Sequence, residues 1–207
     1  MTVSVFDLGD DENRFSPDWL QRAHSFLDGV SDALVTTGGG KFYSNGLDLD
    51  WLMANGDQAA KYVAEVQELF ARVLTLPVPT VAAVNGHAFG AGAMLAMAHD
   101  FRVMRSDRGY FCFPEADINI PFTPGMAGLI QAKLTPAAAI ASMTTGRRFG
   151  GSEALAVGLV DEIAAEGDVV KMASERVEAL AGKDRGTLGA IKATMFAPAV
   201  AALRTPA

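Results

Sequence analysis

Hydrophobic and polar positions follow strand-like patterns in several short stretches of this chain. Residues 2–8 alternate and are rich in Val and Phe, which predicts a strand. Residues 80–84 are a compact run of Thr, Val and Ala behind two prolines, which is typical of a buried strand. The predicted strands cover residues 2–8, 33–37, 80–84, 101–104, 110–113 and 160–163.

Other stretches repeat their apolar residues every three or four positions, which is the spacing of one helix face. Residues 58–76 place Tyr62, Val66 and Phe70 on such a face. Ser16 followed by Pro17 offers an N-cap and a first helical residue. The predicted helices cover residues 17–27, 58–76, 93–99, 124–134, 136–143, 151–157, 169–180 and 187–195, with a short helical turn at 48–54. Strands that alternate with helices and then give way to helices predict a single α/β domain with a helical C-terminal layer.

Composition and charge narrow the class of protein. The 207 residues are 50% hydrophobic and 20% charged, as expected for a globular enzyme. The net charge of −7 disfavours a nucleic-acid partner, which would need clustered Lys and Arg. Cys112 is the one cysteine, so neither an intrachain disulfide nor a multi-cysteine zinc site can form. No signal-type segment or apolar run of membrane length is evident, and we expect a cytoplasmic protein without a membrane partner.

The first segment with candidate chemistry is residues 41–49, where a strand and a glycine loop lead to a turn. Gly46 can adopt a positive φ there, and Asp48 can cap the helix that follows. Such a turn leaves backbone N–H groups pointing outward. Taken alone, the segment is better explained as an ordinary surface loop.

The second segment is residues 81–96, where a buried strand runs through small residues into a helix. Small side chains at 90–93 let a ligand approach the backbone, and the free amides of a helix N-terminus favour negative charge. The spacing of Gly86, Gly90 and Gly92 does not fit the dinucleotide-binding fingerprint. Tight packing of the helix on the strand is the alternative explanation.

The third segment carries Glu115, which follows the aromatic stretch 111–113 and Pro114. A carboxylate that leaves a strand in an apolar neighbourhood is a candidate for a raised pKa and for general-base catalysis. The alternative is a solvated glutamate without a catalytic role.

Taken in order, these segments resemble the enoyl-CoA hydratase/isomerase, or crotonase, superfamily. The resemblance rests on VAAVNGHAFGAGAMLA at 81–96, FPE at 113–115, SNGLD at 44–48, and TG at 145–146 with EA at 153–154. It covers about residues 1–195 and implies a ββα spiral at about 1–150 with a helical C-terminal region at about 151–207. It also implies a homotrimer or hexamer and an acyl-CoA substrate, with coenzyme A as part of the substrate and no separate cofactor or metal.

The resemblance assigns roles to individual positions. Glu115 matches the catalytic carboxylate, and Leu47 and Ala91 match the two backbone amides of an oxyanion hole. The remaining positions that it implies to bind substrate or CoA are Ser44, Asn45, Gly46, Gly90, Met94 and, as an exposed cation for a CoA phosphate, Lys192.

The nature of residue 94 favours one reaction within the family. Hydratases of the family hold a water between two glutamates, and Met94 stands at the first of those positions. Glu115 alone suffices to move a proton from C2 to C4, as in the monofunctional Δ3,Δ2-enoyl-CoA isomerases. The alternatives are hydration, decarboxylation or thioester hydrolysis with Asp117 or Asn119, and a protein that binds acyl-CoA without catalysis.

Overall fold

A computed structural model of the chain describes residues 2–180 and 182–205. Those residues form ten strands, most of them where the hydrophobic pattern predicts. In chain order the strands are β1 (Val3–Asp7), β2 (Arg14–Phe15), β3 (Ala33–Thr37), β4 (Phe42–Ser44), β5 (Gly46–Leu47), β6 (Thr80–Val84), β7 (His87–Phe89), β8 (Phe101–Arg105), β9 (Phe111–Cys112) and β10 (Glu162–Ala164).

The strands form one large sheet and two small ones. The large sheet has the order β1-β3-β6-β8-β10, and all its neighbours are parallel. One small sheet pairs β2 with β5. The other has the order β4-β7-β9, and its neighbouring strands are again parallel. Parallel neighbours need a crossover between them, so helices pack against the large sheet.

The helices begin at residues with clear capping chemistry. Ser16, Thr123 and Thr135 each accept a hydrogen bond from a first-turn amide and are followed by proline. The helices are α1 (Pro17–Asp28), α2 (Leu49–Ala54), α3 (Ala59–Leu74), α4 (Ala91–Ala98), α5 (Glu115–Ile118), α6 (Pro124–Lys133), α7 (Pro136–Met143), α8 (Gly151–Val157), α9 (Val169–Glu178), α10 (Arg185–Met195) and α11 (Ala197–Leu203).

Two apolar clusters cover the two faces of the large sheet. On β3, Leu34 belongs to the larger cluster, whereas its neighbours Ala33 and Val35 belong to the smaller one. This division follows from the strand period of two residues. The smaller cluster is closed by α9, whose Val169, Ala173 and Val177 are buried against that face.

The region after residue 150 is therefore not purely helical. Its strand β10 joins the edge of the large sheet beside β8, and α9 covers the smaller cluster. The boundary at about residue 150 stays a prediction, and α9 packs across it onto the second face of the large sheet.

Several short elements escape the sequence pattern. The glycine-rich stretch 85–92, for which no element was predicted, contains β7, and the Ala/Pro-rich end after Met195 contains α11. Strands β2 and β5 have two residues each, which is too short for any periodicity to register. Among the described residues, no single helix has the length and apolar character to cross a membrane, although the bent pair α10 and α11, at 72° to each other, meets that test by length and composition.

Candidate active site

Two turns from separate sheets meet at Gly46 and Ala91. Gly46 has φ +80°, and a methyl group on its Cα would lie 2.8 Å from Ala91 N and 3.0 Å from Gly92 N. Atoms do not approach so closely without displacement, so residue 46 must lack a side chain. The first segment is thus packed directly onto the start of α4.

The N-terminus of α4 presents backbone donors at this contact. Gly90 has φ +51° and turns the chain from β7 into the helix, and no side chain caps the helix there. Ala91 N–H has no acceptor among the described residues, whereas Gly90 N–H donates to Cys112 O at 3.0 Å. A free amide at the positive end of a helix dipole stabilises negative charge nearby.

Leu47 lies next to this contact, with a half-buried side chain. Its backbone takes part in the short parallel pairing of β5 with β2, in register with Phe15. The oxyanion role of the Leu47 amide stays a prediction.

Glu115 opens α5 immediately after β9 and Pro114. Its side chain is buried, with the residue 8% exposed, and Oε2 has no hydrogen-bond partner among the described residues. A methyl group on Gly90 would lie 3.5 Å from Glu115 Oε1, so the carboxyl group faces the turn that leads into α4. Burial raises the pKa of Glu115 to about 7, and its own backbone N–H offsets part of that rise.

A cavity of about 220 Å³ joins these groups, and we call it the site cavity. Its lining is mostly apolar, and Glu115 is its one carboxyl group. The lining residues are Arg14, Asn45, Leu47, Leu49, Phe89, Gly90, Ala91, Pro114, Glu115, Ile118 and Ile120. A cavity of this kind suits an apolar chain whose reacting end must meet an acid–base group and hydrogen-bond donors.

Larger clefts lie elsewhere on the surface. One of about 530 Å³ runs between α1 and α3, and another of about 680 Å³ lies along residues 8–16. Neither is lined by Glu115 or by the start of α4. Cavity volume therefore indicates the reaction centre less well than chemistry does. The site cavity is the one where the Glu115 carboxyl group and the free Ala91 N–H lie together.

Most of the predicted site residues lie around the site cavity. Glu115, Leu47, Ala91, Asn45 and Gly90 line it, and Gly46 is packed against Ala91. The fold thus brings together three segments, of which the first and second are separated by residues 50–80.

Ser44 and Met94 do not line the site cavity. Ser44 is 0% exposed, and its hydroxyl group is occupied by protein partners. Met94 is 1% exposed and belongs to the larger apolar cluster, since α4 is buried on all sides. Neither side chain reaches the cavity surface, so the role of both in substrate binding stays a prediction.

The structure corrects the prediction of Lys192 as an exposed cation. Lys192 is 3% exposed, and its Nζ donates to Asp100 Oδ2 at 2.6 Å and to Val78 O at 2.7 Å. Burial lowers the pKa of Lys192 in spite of this partner. The helical pattern of 187–195 placed the lysine on a helix but could not show that the side chain points inward.

Some lining residues were not found by sequence reasoning. Arg14, Phe89, Ile118 and Ile120 lie in or beside short elements without a periodic pattern. Phe89 has a signal in retrospect, since it precedes the glycine at the helix start. Arg14 is bound to Glu12 and Asp50, so its charge at the rim is compensated.

The rival acid–base candidates are placed outside the cavity lining. Asp117 is exposed on α5, and Asn119 has φ +58° and ends that helix. Among the described residues, no group of His, Cys, Asp and Glu has the arrangement to hold a metal ion.

Comparison with known proteins gives a consistent picture. One family model, described as enoyl-CoA hydratase/isomerase, matches residues 23–206. Enoyl-CoA delta isomerase 3 of Arabidopsis thaliana is 39% identical over 189 residues, which are 84% of this chain and 79% of the plant protein. The peroxisomal enoyl-CoA delta isomerase 2 of the same plant is also 39% identical, over 190 residues with the same coverage.

More distant relatives carry other names. Carnitinyl-CoA dehydratase of Escherichia coli K12 is 34% identical over 166 residues, which are 77% of this chain and 61% of that protein. Among solved structures, an apo enoyl-CoA isomerase of Mycobacterium tuberculosis superposes with a TM-score of 0.91 at 30% identity, covering 99% of this chain and 91% of the other. A second structure from that organism, described as a probable enoyl-CoA hydratase, has the same TM-score and identity.

Proposed function

The chain belongs to the enoyl-CoA hydratase/isomerase family and is an enzyme of the crotonase superfamily. We propose that it shifts the double bond of a 3-enoyl-CoA to the 2-position. The observation that carries this proposal is the presence of one carboxyl group, Glu115, in the site cavity. A 1,3 proton shift needs one group that accepts and returns a proton. Hydration by the family's two-glutamate arrangement needs two.

Residue 94 supports the same reaction. It is a methionine, buried in the core, where the hydratases that this chain resembles have a second glutamate. A thioether cannot orient a water molecule, and it cannot accept or return a proton of that water. The similarity to delta isomerases of Arabidopsis thaliana agrees with this choice.

In the proposed reaction, the Glu115 carboxylate removes a proton from C2 of the acyl chain. The electron pair of that C–H bond forms a C1–C2 double bond, and the carbonyl electrons move onto the thioester oxygen. The C3–C4 π pair of the resulting dienolate then takes the proton from Glu115 and forms the new C4–H bond. The C1–C2 π pair moves to form the C2–C3 double bond, and an electron pair on the oxygen restores the thioester carbonyl. The carboxylate is regenerated, no water is consumed, and no oxidant or metal is required.

The free amide of Ala91 is the first proposed donor to the dienolate oxygen, and the Leu47 amide is the second. Loss of one such donor costs on the order of 3 kcal/mol of transition-state stabilisation in enzymes of this kind. The raised pKa of Glu115, about 7, suits a group that both removes and returns a proton near neutral pH.

Glu115→Gln tests the proposal. The amide keeps the shape of the side chain but cannot accept the C2 proton, so formation of 2-enoyl-CoA from 3-enoyl-CoA should fall roughly 10²–10⁴-fold. Turnover is followed by the absorbance of the conjugated thioester, and proton abstraction by exchange at C2 in deuterated water.

Asp117→Asn provides the matched control, because Asp117 is an exposed acid two residues further along the same short helix. Its turnover should stay within about twofold of wild type, as is usual for an exposed surface substitution. Near-normal isomerisation by Glu115→Gln would refute the proposed mechanism. Acyl-CoA binding by the wild type without exchange at C2 would instead indicate a protein that binds without catalysis.

Hydration of a 2-enoyl-CoA is the second candidate, favoured by the dehydratase and hydratase names among the relatives. It requires a second group to orient the water, and Asn45 is a polar neutral side chain in the cavity lining. Comparing the rates of isomerisation and hydration on substrates of equal chain length decides between the two reactions.

A further inference from the structure

Ser44 occupies an unusual place between the two turns that form the site. It is fully buried, ends β4 and precedes the turn at Gly46. Its hydroxyl group makes two hydrogen bonds, to Asn13 O at 2.7 Å and with Gly46 N at 3.0 Å. Both partners are backbone atoms of the surrounding loops.

The direction of these two bonds follows from their chemistry. The Asn13 carbonyl can only accept, so the single hydroxyl hydrogen of Ser44 must be donated to it. The Gly46 N–H can only donate, so Ser44 Oγ accepts that bond with a lone pair. The hydroxyl group therefore links the Asn13 carbonyl to the Gly46 amide.

Asn13 makes one end of this link rigid. It has φ +51°, is buried, and its Nδ2 donates to Phe42 O at 3.1 Å and to Tyr43 O at 3.0 Å. The two residues that precede Ser44 are thus also hydrogen-bonded to Asn13.

Gly46, the second hydrogen-bond partner of the Ser44 hydroxyl group, lies at the site. The residue is followed by Leu47, the proposed second donor, and its Cα faces Ala91 N so closely that no methyl group would fit. A movement of Gly46 would therefore displace both the Leu47 amide and the start of α4.

Ser44 also touches the second turn directly. A methyl group on Gly92 would lie 2.8 Å from Ser44 Cβ, and still closer to the Ser44 carbonyl group. The first turn of α4 consequently rests on Ser44, while the hydroxyl group of the same residue holds the turn of the first segment.

We propose that Ser44 is a positioning residue that sets the distance between the two backbone donors of the site cavity through its paired hydrogen bonds to Asn13 and Gly46. It acts without touching the substrate, since its side chain is buried and does not line the cavity. This inference rests on the proposed function, because it gives the two donors a catalytic purpose.

The expected effect is on the chemical step. Donors that act on the dienolate oxygen stabilise the transition state more than the bound substrate, so misplacing them lowers kcat and leaves KM nearly unchanged. Ser44→Ala should lower kcat for 3-enoyl-CoA isomerisation by roughly 10–100-fold, which is the scale for a small misplacement or a lost donor. KM should change by less than about threefold.

Ser44→Cys is the conservative rescue. A thiol is a weak donor and acceptor in the same position, so kcat should recover part of the loss and fall between wild type and Ser44→Ala. It also serves if Ser44→Ala yields too little folded protein to assay.

Ser142→Ala is the matched control. Ser142 is equally buried, at 1% exposure, and its Oγ donates to Ala138 O at 2.7 Å within α7, outside the site cavity lining. This variant should lose some resistance to denaturant but keep wild-type kcat and KM. The assays are run on folded protein, with the folded fraction measured by denaturant titration.

The outcomes separate the inference from the proposed function. A kcat of Ser44→Ala within twofold of wild type overturns the inference, as does an equal loss of kcat in Ser142→Ala. If Glu115→Gln abolishes isomerisation in the same experiment, the proposed function survives either result. If Glu115→Gln is fully active, the proposed function fails whatever Ser44 does.

Discussion

At the scale of the residue, the site depends on one buried carboxyl group without a counter-charge in contact. Glu115 Oε2 has no partner among the described residues, and no cation forms an ion pair with the group. Desolvation is the main cause of its raised pKa, which is about 7. A buried acid of this kind is protonated at low pH and becomes a base where its proton can leave.

The pKa of Glu115 predicts the acid side of the pH–rate profile. The proposed base must be ionised in the free enzyme, so kcat/KM for isomerisation should rise with pH and reach half its maximum near pH 7. Rates measured from pH 5 to pH 9, with stability of the enzyme checked at each pH, test this. A midpoint near the ordinary glutamate value would contradict the burial of the group.

The same shift has a consequence for folding. Because the pKa is higher in the folded chain, the folded state holds the proton more tightly than the unfolded state between the ordinary value of 4.5 and about 7. The stabilisation of the folded state by the protonated Glu115 is complete below pH 4.5 and is lost as the pH rises to about 7. Relative to Glu115→Gln, the wild type should lose roughly 3 kcal/mol of unfolding free energy across the window.

At the scale of the element, the site is a contact between the N-terminus of α4 and the turn of β5. Helix α4 is buried on all sides, so a larger group at residue 46 would press on packed atoms. Gly46 therefore has two reasons to be glycine, its φ of +80° and the proximity of Ala91 N and Phe89 O. These two effects can be separated, because Gly158 has a similar φ of +78° but no neighbour within 4 Å.

Gly46→Ala should cost both stability and turnover. The left-handed backbone alone costs an alanine about 1–2 kcal/mol, and the added methyl group would also press on the Ala91 amide. We expect isomerisation to fall at least about 100-fold, as for the loss of a backbone donor. Activity assays and denaturant titration on the same samples measure both effects.

Gly158→Ala is the control for the backbone cost. It should lose about 1–2 kcal/mol of unfolding free energy and keep full turnover, because only the conformational penalty applies. Equal loss of turnover in the two alanine variants would show that strain, rather than the contact with α4, limits activity.

At the scale of the whole molecule, an ion pair between the buried Lys192 and the partly buried Asp100 connects α10 to the large sheet. Lys192 on α10 bonds to Asp100, which precedes β8 and is itself bonded to the Thr80 backbone amide. The pair links the end of the chain to the strands that lead into α4 and α5. Compartment and oligomeric state are not fixed by these contacts and stay predictions.

Lys192→Met should destabilise the fold without reducing turnover. Removing one partner of a buried pair leaves the other charge uncompensated, and we expect a loss of roughly 3 kcal/mol, the low end of the range, because Asp100 keeps its bonds to Thr80. Denaturant titration measures the loss. A raised KM for acyl-CoA at unchanged stability would instead restore the role of Lys192 in binding a CoA phosphate.

Most helices and strands could be predicted from the sequence, and so could the three segments that contain the candidate catalytic groups. Apolar period and capping residues depend on near neighbours, so α1, α3, α7 and α8 begin and end close to their predicted bounds. The motif around Glu115 and the glycines before α4 could be found in the same local way.

The contacts between those segments depend on the three-dimensional packing and could not be predicted from local pattern. The approach of Gly46 to Ala91, the solvent-excluded position of Glu115 and the inward direction of Lys192 depend on the register of separate sheets and on helix packing. Ser44 illustrates the difference, since its sequence context assigned it to the ligand-binding turn, whereas the hydrogen bonds of its hydroxyl group to Asn13 and Gly46 became visible only in the fold. A side chain's local pattern specifies its element, but its partners come from residues distant in the chain.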